Sequence, residues 1–156
     1  MPQEGGWHAR GNSNRSCPAA LRLSRPPLPT LDWNKYAPAS GVARGGYVLA
    51  DAPGGSPEVI LIASGSELIL AVNAHEMLKV EGIRSRVVSM PSWEIFEDQT
   101  RKWHAVLPPD VVARVAIEQA STFGWERYPG ASGRIIGMET FGTSAPLKAL
   151  QKRFGF

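Results

Sequence analysis

Arg25 stands where a short apolar stretch meets two prolines, in the sequence LRLSRPPLPTLDW at 21–33. Leu21 and Leu23 alternate with polar neighbours as on a β-strand, and Pro26 and Pro27 then prevent further sheet pairing. In α/β proteins, ligands tend to bind outside the ends of strands. Arg25 is therefore a candidate ligand-binding residue.

The stretch SGSE at 64–67 follows an apolar run and precedes a helical pattern. Such a turn could bind a phosphate, because the amide groups at the start of a helix point into the loop. The turn lacks the GxGxxG and GxxxxGK[ST] spacings, and the carboxylate of Glu67 would repel an anion. A Ser or Gly cap of the following helix is the favoured interpretation, with a small nucleotide site as the alternative.

His75 and three carboxylates, Glu94, Glu97 and Asp98, are the other titratable residues whose positions could matter for function. His75 lies on or beside the apolar face of a predicted helix, so we expect a packing residue rather than a ligand. Paired carboxylates can perform acid–base chemistry, but these three are expected to form a solvated acidic face.

Cys17 is the single cysteine of the chain, which excludes an internal disulfide and is typical of a reducing compartment. It has no histidine partner nearby for catalysis. His8 and His104 have no neighbours at the spacing of metal ligands, so we expect no metal site.

The segment STFGWERYPG at 121–130 concentrates aromatic residues around a Glu–Arg pair. One interpretation is a recognition surface or a subunit contact. The favoured one is a short helix that packs Phe123, Trp125 and Tyr128 against the edge of a sheet.

Length and composition indicate a single globular domain of ordinary size: 156 residues, 43% hydrophobic and 20% charged. The formal net charge is +3, but the basic residues are dispersed and do not alternate with exposed aromatics, so we expect no nucleic-acid partner. No apolar run is long enough to cross a bilayer, so no membrane partner is expected either.

Five strands and several helices alternate along the chain. Gly82 is expected to end the first long helix in a left-handed conformation, and Ser92 to cap the next one. This alternation predicts a largely parallel sheet covered on both faces. The predicted strands are 45–51, 58–63, 83–90, 112–119 and 133–139, and the predicted helices are 66–81, a short one after Ser92, 98–106, a short one near 123–128, and one starting at Ser144 or Ala145.

The order of motifs resembles the end of a transketolase, from about residue 19 to Phe156. SGSE is shared with other thiamine enzymes, whereas the segments at 90–96, 107–118 and 121–128 are specific to transketolases. The segments that carry the resemblance are LSR..LPTLD, KYAPASGVARGGYVLAD, VILIASGSE, EGIRSRVVSMPSWEIFEDQ, VLPPDVVARVAIEQ, STFGWERYPG and IIGMETFGTSAP.

The resemblance implies a three-layer α/β/α fold with a mixed, mostly parallel sheet, in which GGYVLAD is the antiparallel strand. It divides the chain into an unmatched, disordered leader (1–20), the end of the pyrimidine-binding domain with a linker (21–41), and the transketolase C-terminal domain (42–156). It also implies cytoplasmic localisation, with a plastid as the alternative.

Transketolases transfer a two-carbon ketol unit between phosphorylated sugars in the pentose phosphate pathway, using thiamine diphosphate and Mg²⁺ or Ca²⁺. The chain has neither the family's GDG segment nor a match to its cofactor-activating glutamate, so we expect no cofactor bound by this chain alone, no catalytic residue in it and no activity in isolation. The family's substrate-phosphate arginine matches Arg25, although Pro26–Pro27 replace the usual Gln-Asn. The implied partners are the remaining transketolase domains, a homodimer and sugar phosphates.

A second hypothesis is a stand-alone or split-subunit module that serves assembly or binding without catalysis. A separate chain that carries the missing domains would favour the split subunit. Its absence would favour a fragment of a transketolase.

Overall fold

The computed structural model describes residue 20 and residues 27–99 and 103–156. Five strands form one sheet in the order β1-β3-β2-β4-β5. β2, β3, β4 and β5 are mutually parallel, and β1 runs antiparallel to β3. The predicted mixed sheet with an antiparallel GGYVLAD strand is confirmed. The strands are β1 (Tyr47–Ala50), β2 (Val59–Ala63), β3 (Ser85–Ser89), β4 (Arg114–Ser121) and β5 (Arg134–Met138).

The helices are α1 (Leu68–Val80), α2 (Trp93–Glu97), α3 (Trp103–Val106) and α4 (Leu147–Phe154). Short 3₁₀ helices are found at Ala39–Arg44, Pro53–Gly55, Gly65–Glu67 and Trp125–Arg127. As predicted, Gly82 adopts the left-handed conformation after α1, with φ +77°. The hydroxyl of Ser92 accepts a hydrogen bond from the amide of Ile95 at 3.3 Å and caps α2.

Two predicted helix starts are wrong. α2 ends with Asp98 as its cap, so no helix begins at that residue, and the next described helix is α3 (Trp103–Val106). The last helix begins at Leu147 rather than at Ser144 or Ala145, because Pro146 has an extended backbone with ψ 140°.

The sheet separates two apolar cores, and side chains alternate between them along each strand. On β2, Leu61 and Ala63 point to one core, while Ile60 and Ile62 point to the other. α1 covers the first core through Leu68, Ala71 and Val72. The second is covered by α2 and the turn after β4, through Phe96, Trp125 and Tyr128. This arrangement is the predicted three-layer α/β/α fold.

The end of the predicted linker packs on the first core. Leu31, Tyr36 and Ala37 contact this core, and the amide of Ala37 donates to the carbonyl of Leu49 at 2.8 Å. Residues 31–37 are thus attached to the domain. The boundaries proposed at 20/21 and 41/42 remain a prediction.

Candidate functional site

The loop between β2 and α1 lies where the sheet changes its direction of winding. β2 is central, with β3 on one side and β4 on the other, and the carboxyl ends of such strands are a preferred place for ligands. Ser64, Gly65, Ser66 and Glu67 form this loop. We call it, with Glu118 of β4, the switch-point loop.

The hydroxyl groups of the switch-point loop bind carboxylates. Ser64 Oγ donates to Glu118 Oε2 at 3.3 Å, and Ser66 Oγ donates to Glu67 Oε1 at 2.7 Å. Glu67 is buried, with 5% of its surface exposed. Ser64 occupies the N-cap position of the 3₁₀ turn Gly65–Glu67, as the capping interpretation expects, but its hydroxyl makes no cap hydrogen bond and donates to a carboxylate instead.

The loop is therefore a poor phosphate site. The amide of Glu67 already donates to the carbonyl of Ser64 at 3.2 Å, and two carboxylates lie close by. Like charges would repel a phosphate in this partly dehydrated position. The carboxylates favour a hydrogen-bond donor or a cation over an anion. This argues against the alternative that the turn binds the phosphate of a small nucleotide.

Arg86, on β3, is a buried arginine that pairs with the exposed carboxylate of Asp51, and the sequence patterns did not single it out. Its Nε and Nη2 bind the two oxygens of Asp51 at 2.8 and 2.9 Å. Its Nη1 donates to the carbonyls of Ala105 and Val106, and Nη2 also reaches Gly55. The guanidinium thus joins β3 to the loop after β1 and to α3. A charged residue inside a strand that is otherwise buried on both faces was the available signal.

Arg114, at the start of β4, is satisfied by backbone carbonyls. It donates to the carbonyls of Val111, Tyr128 and Pro108 at 2.8, 2.9 and 2.6 Å. Burial lowers the pKa of this guanidinium, and the charge of Asp110 opposes that effect. Arg114 thus holds the turn after β4 on the sheet, and its donors are not available to a ligand.

The aromatic segment after β4 mostly packs inside the domain. Trp125 and Tyr128 are buried, and Trp93 meets the ring of Trp125 edge-on with centroids 5.1 Å apart. The packing prediction is confirmed for these two residues and wrong for Phe123, which is 87% exposed. Gly124 turns the chain with φ +84°, so Phe123 and Trp125 point away from each other.

Tyr128 combines a buried ring with a buried hydroxyl. Among the residues that the structure describes, that hydroxyl makes no hydrogen bond. Burial, followed by the neighbouring carboxylate of Glu97, raises the pKa of Tyr128. The hydroxyl is therefore neutral at physiological pH, and Tyr128 contributes to the packing of the second core.

The remaining predicted residues are distributed as follows. His75 is buried and its Nδ1 lies 2.8 Å from Ser85 Oγ, so the packing interpretation is confirmed. Glu94, Glu97 and Asp98 are exposed, as predicted. Arg25, Cys17 and His8 lie outside the described residues.

Within the described ranges, no group of three His, Cys, Asp or Glu side chains could hold a metal ion. No helix there is long and apolar enough to cross a membrane.

Three exposed apolar residues follow the carboxyl ends of β4 and β5 in the chain. β4 and β5 are parallel and end with Ser121 beside Met138, so the segments that follow them leave the sheet together. Phe123 and Phe141 lie on these segments and are 87% and 100% exposed. Leu147, at the start of α4, is 45% exposed. We call Phe123, Phe141 and Leu147 the carboxyl-edge residues.

Comparison with known proteins identifies the family. Residues 45–156 match the family described as Transketolase-like TK C-terminal domain. A transketolase of Halalkalibacterium halodurans is 50% identical over 140 residues, which cover 89% of this chain and 21% of that protein. The chain thus spans about a fifth of the length of such curated relatives.

Solved structures agree with this match. A transketolase from Leishmania mexicana aligns with a TM-score of 0.68 and 42% identity, over 76% of this chain and 17% of that one. A structure titled "Split gene transketolase, inactive beta4 tetramer" aligns with a TM-score of 0.52 and 26% identity, over 70% of this chain and 37% of that one. The chain belongs to the transketolase family, of which it carries the C-terminal domain.

Proposed function

We propose that the chain acts as the C-terminal domain of a transketolase, an enzyme that transfers a two-carbon ketol unit between phosphorylated sugars. The observation that carries the proposal is the 50% identity to a curated transketolase across 89% of the chain. At this identity the fold and the inter-domain surfaces are expected to be shared. The chemistry itself requires residues that the relatives carry in their other four-fifths.

Thiamine diphosphate supplies the carbanion chemistry of such transfers. The described residues do not fit this cofactor with its divalent cation. The carboxylates of Glu67 and Glu118 belong to the switch-point loop and would repel a diphosphate. The described part of the chain has no cluster of side chains that could bind a metal ion. We therefore assign the cofactor to the remaining transketolase domains.

The role of this chain is then to dock on those domains. The carboxyl-edge residues are the feature that supports it, because large apolar side chains grouped at one edge of a domain typically mark an interaction surface. α4 itself has no buried residue. We propose that these parts are covered in the homodimeric full-length enzyme.

A chimera tests the proposed function. In the Halalkalibacterium halodurans relative, the matching segment is replaced by residues 21–156, and ketol transfer from xylulose 5-phosphate is measured. We expect activity from the chimera and none from the isolated chain or from the relative lacking the segment. A chimera that folds, binds thiamine diphosphate and still fails to transfer the ketol unit would contradict the proposal.

Arg25 is proposed to bind the phosphate of the sugar substrate in that context. In the chimera, Arg25→Ala should lower kcat/KM for phosphorylated sugars by about ten- to a hundredfold, the value of one charge-assisted contact. Arg25→Lys should recover only part of this, since an ammonium group cannot form the two-pronged contact. Unphosphorylated acceptors should be affected little. Equal losses for both substrate classes would mean that Arg25 supports the loop instead.

A second candidate function is that of a separate subunit. The neighbour titled as a split-gene transketolase tetramer supports it, because the alignment with that protein covers 70% of this chain. Mixing the isolated chain with the truncated relative distinguishes the two candidates. Activity restored by mixing supports a separate subunit, whereas activity restored only in the covalent chimera supports a domain.

We also propose a cytoplasmic location, with a plastid as the alternative. A relative from Solanum tuberosum named "Transketolase, chloroplastic" supports keeping that alternative.

A further inference from the structure

A cleft of about 380 Å³ lies against the edge strand β1. It is bounded by the 3₁₀ helix Ala39–Arg44, by β1 and by the end of α2. Its volume is within the range of small-molecule sites and equals that of roughly a dozen water molecules. No function described above uses it.

The cleft has apolar walls and few polar groups. Val48, Ala105 and Val106 supply the more accessible apolar surface, whereas Tyr47 and Phe96 are only 4% and 2% exposed. Such walls favour a ligand with a hydrocarbon or aromatic body, because burying apolar surface from water is favourable.

The polar groups of the cleft are suited to an anion. Arg44 lines it, and its guanidinium makes no hydrogen bond or ion pair with the residues that the structure describes. Ser40 and Gln99 add a hydroxyl and an amide. No acidic residue is among those that line the cleft within the described ranges. Among the described residues, the guanidinium of Arg44 is thus the only charged group that lines the cleft.

The walls are held in place before any ligand binds. The carbonyl of Gly45 accepts the amide of Ser92 at 3.0 Å and so ties the 3₁₀ helix to α2. A Cβ at Gly46 would lie 2.6 Å from the ring of Phe96, so only glycine permits this close approach. A preformed site avoids the ordering cost of binding.

From these observations we infer that the cleft binds a small amphipathic anion, an aromatic or aliphatic body that carries a carboxylate, sulfonate or phosphate group. The body contacts Val48 and Val106, and the anionic group contacts Arg44. This inference does not depend on the proposed function, because the cleft is formed entirely within this chain.

Naphthalene-1-sulfonate is a suitable probe, because it combines one anionic group with an aromatic body of matching size. Binding to the full chain is followed by backbone amide NMR, which also locates the site. We expect saturable shifts at residues 40–48 and 96–99. Sulfate alone and the neutral 1-naphthalenemethanol should each bind at least tenfold more weakly, since each lacks one of the two recognised parts.

Variants identify the contact. Arg44→Gln should weaken binding of the sulfonate by about ten- to a hundredfold, and Val48→Glu should abolish it by placing a carboxylate in the cleft. Arg84→Gln is the matched control, because Arg84 is paired with Glu58 at the opposite end of β3. This variant should bind the sulfonate as tightly as the unaltered chain does. Melting temperatures measured alongside separate lost affinity from lost folding.

Three results would overturn the inference. The first is unaltered affinity in Arg44→Gln, which would show that Arg44 only complements the end of its helix. The second is a set of shifts centred on the carboxyl-edge residues. The third is no saturable binding by the unaltered chain, as would follow if the cleft serves to dock another domain.

Discussion

Arg84 and Arg86 lie two residues apart on the same segment, yet their environments differ. Arg84 is half-exposed and pairs with Glu58 at 3.4 Å. Arg86 has 6% of its side chain exposed and binds both oxygens of Asp51 and three carbonyls. A buried guanidinium such as that of Arg86 cannot replace lost partners with water, whereas the exposed guanidinium of Arg84 can.

Arg86→Ala should therefore lower the free energy of unfolding by about 1–3 kcal/mol, because it removes the hydrogen bonds of a buried guanidinium, while the exposed carboxylate of Asp51 can be rehydrated. Arg84→Ala, the matched control, should leave the urea midpoint almost unchanged. Equilibrium urea unfolding of the isolated chain measures both. Similar midpoints for the two variants would show that the Arg86 network adds nothing to stability.

His75 should make stability depend on pH. Burial lowers the pKa of His75 below its ordinary value of 6.5, although the charge of Glu76 partly opposes this. The unfolded chain then binds a proton more readily than the folded one, so stability should fall as the pH drops below about 6.5. This loss should be complete below the lowered pKa of the folded state.

Urea midpoints at pH 7.5 and 5.5 test this dependence. The carboxylates Glu58 and Glu76 have lowered pKa values and stay ionised throughout this range, so they do not obscure it. His75→Gln should show a smaller difference between the two pH values than the unaltered chain. An identical pH dependence in both proteins would assign the effect to another group.

At the scale of elements, left-handed glycines decide where segments end and turn. Gly82 follows α1 with φ +77°, and nothing lies within 4 Å of where its Cβ would be. Gly124 follows β4 with φ +84°, and a Cβ there would lie 2.8 Å from the ring of Trp93. The two positions share the backbone conformation and differ only in the space around it.

Gly82→Ala should cost only the left-handed conformation, about 1–2 kcal/mol. Gly124→Ala should add the displacement of Trp93 and cost about 2–4 kcal/mol in total. Thermal unfolding of both variants measures the difference. Equal losses would mean that Trp93 moves aside freely and that the aromatic packing around Trp125 is loose.

For the whole molecule, we expect the exposed aromatic residues at the carboxyl edge to add nothing to the free energy of unfolding of the isolated chain. Phe141 is fully exposed, so Phe141→Ser should leave the melting temperature of the isolated chain unchanged. In the chimera, where we propose that this edge is covered, the same change should lower the melting temperature by several degrees. Val112→Ser, at an exposed residue near the amino end of β4, is the control. An unchanged chimera would place the docking surface elsewhere.

The sequence by itself determined the elements and the fold class. The strand at Val59–Ala63 and the helix stop at Gly82 follow from local signals, namely a β-branched apolar run and a glycine with free φ. The cap at Ser92 has the same origin. Each of these signals depends only on residues that are neighbours in the chain, so each can be read from the sequence alone. The family motifs then determined the arrangement of the sheet.

Only the tertiary structure decided which polar groups meet. Arg86 and Asp51 are 35 residues apart, and Ser64 and Glu118 are 54 apart. Packing of the sheet brings the members of each pair together. No local sequence pattern predicts contacts between residues so far apart in the chain. For the same reason the serines of the switch-point loop bind carboxylates instead of capping α1, and Phe123 faces solvent while Trp125 is buried. The position of Arg44 at its cleft likewise arises from three elements that meet only in the folded chain.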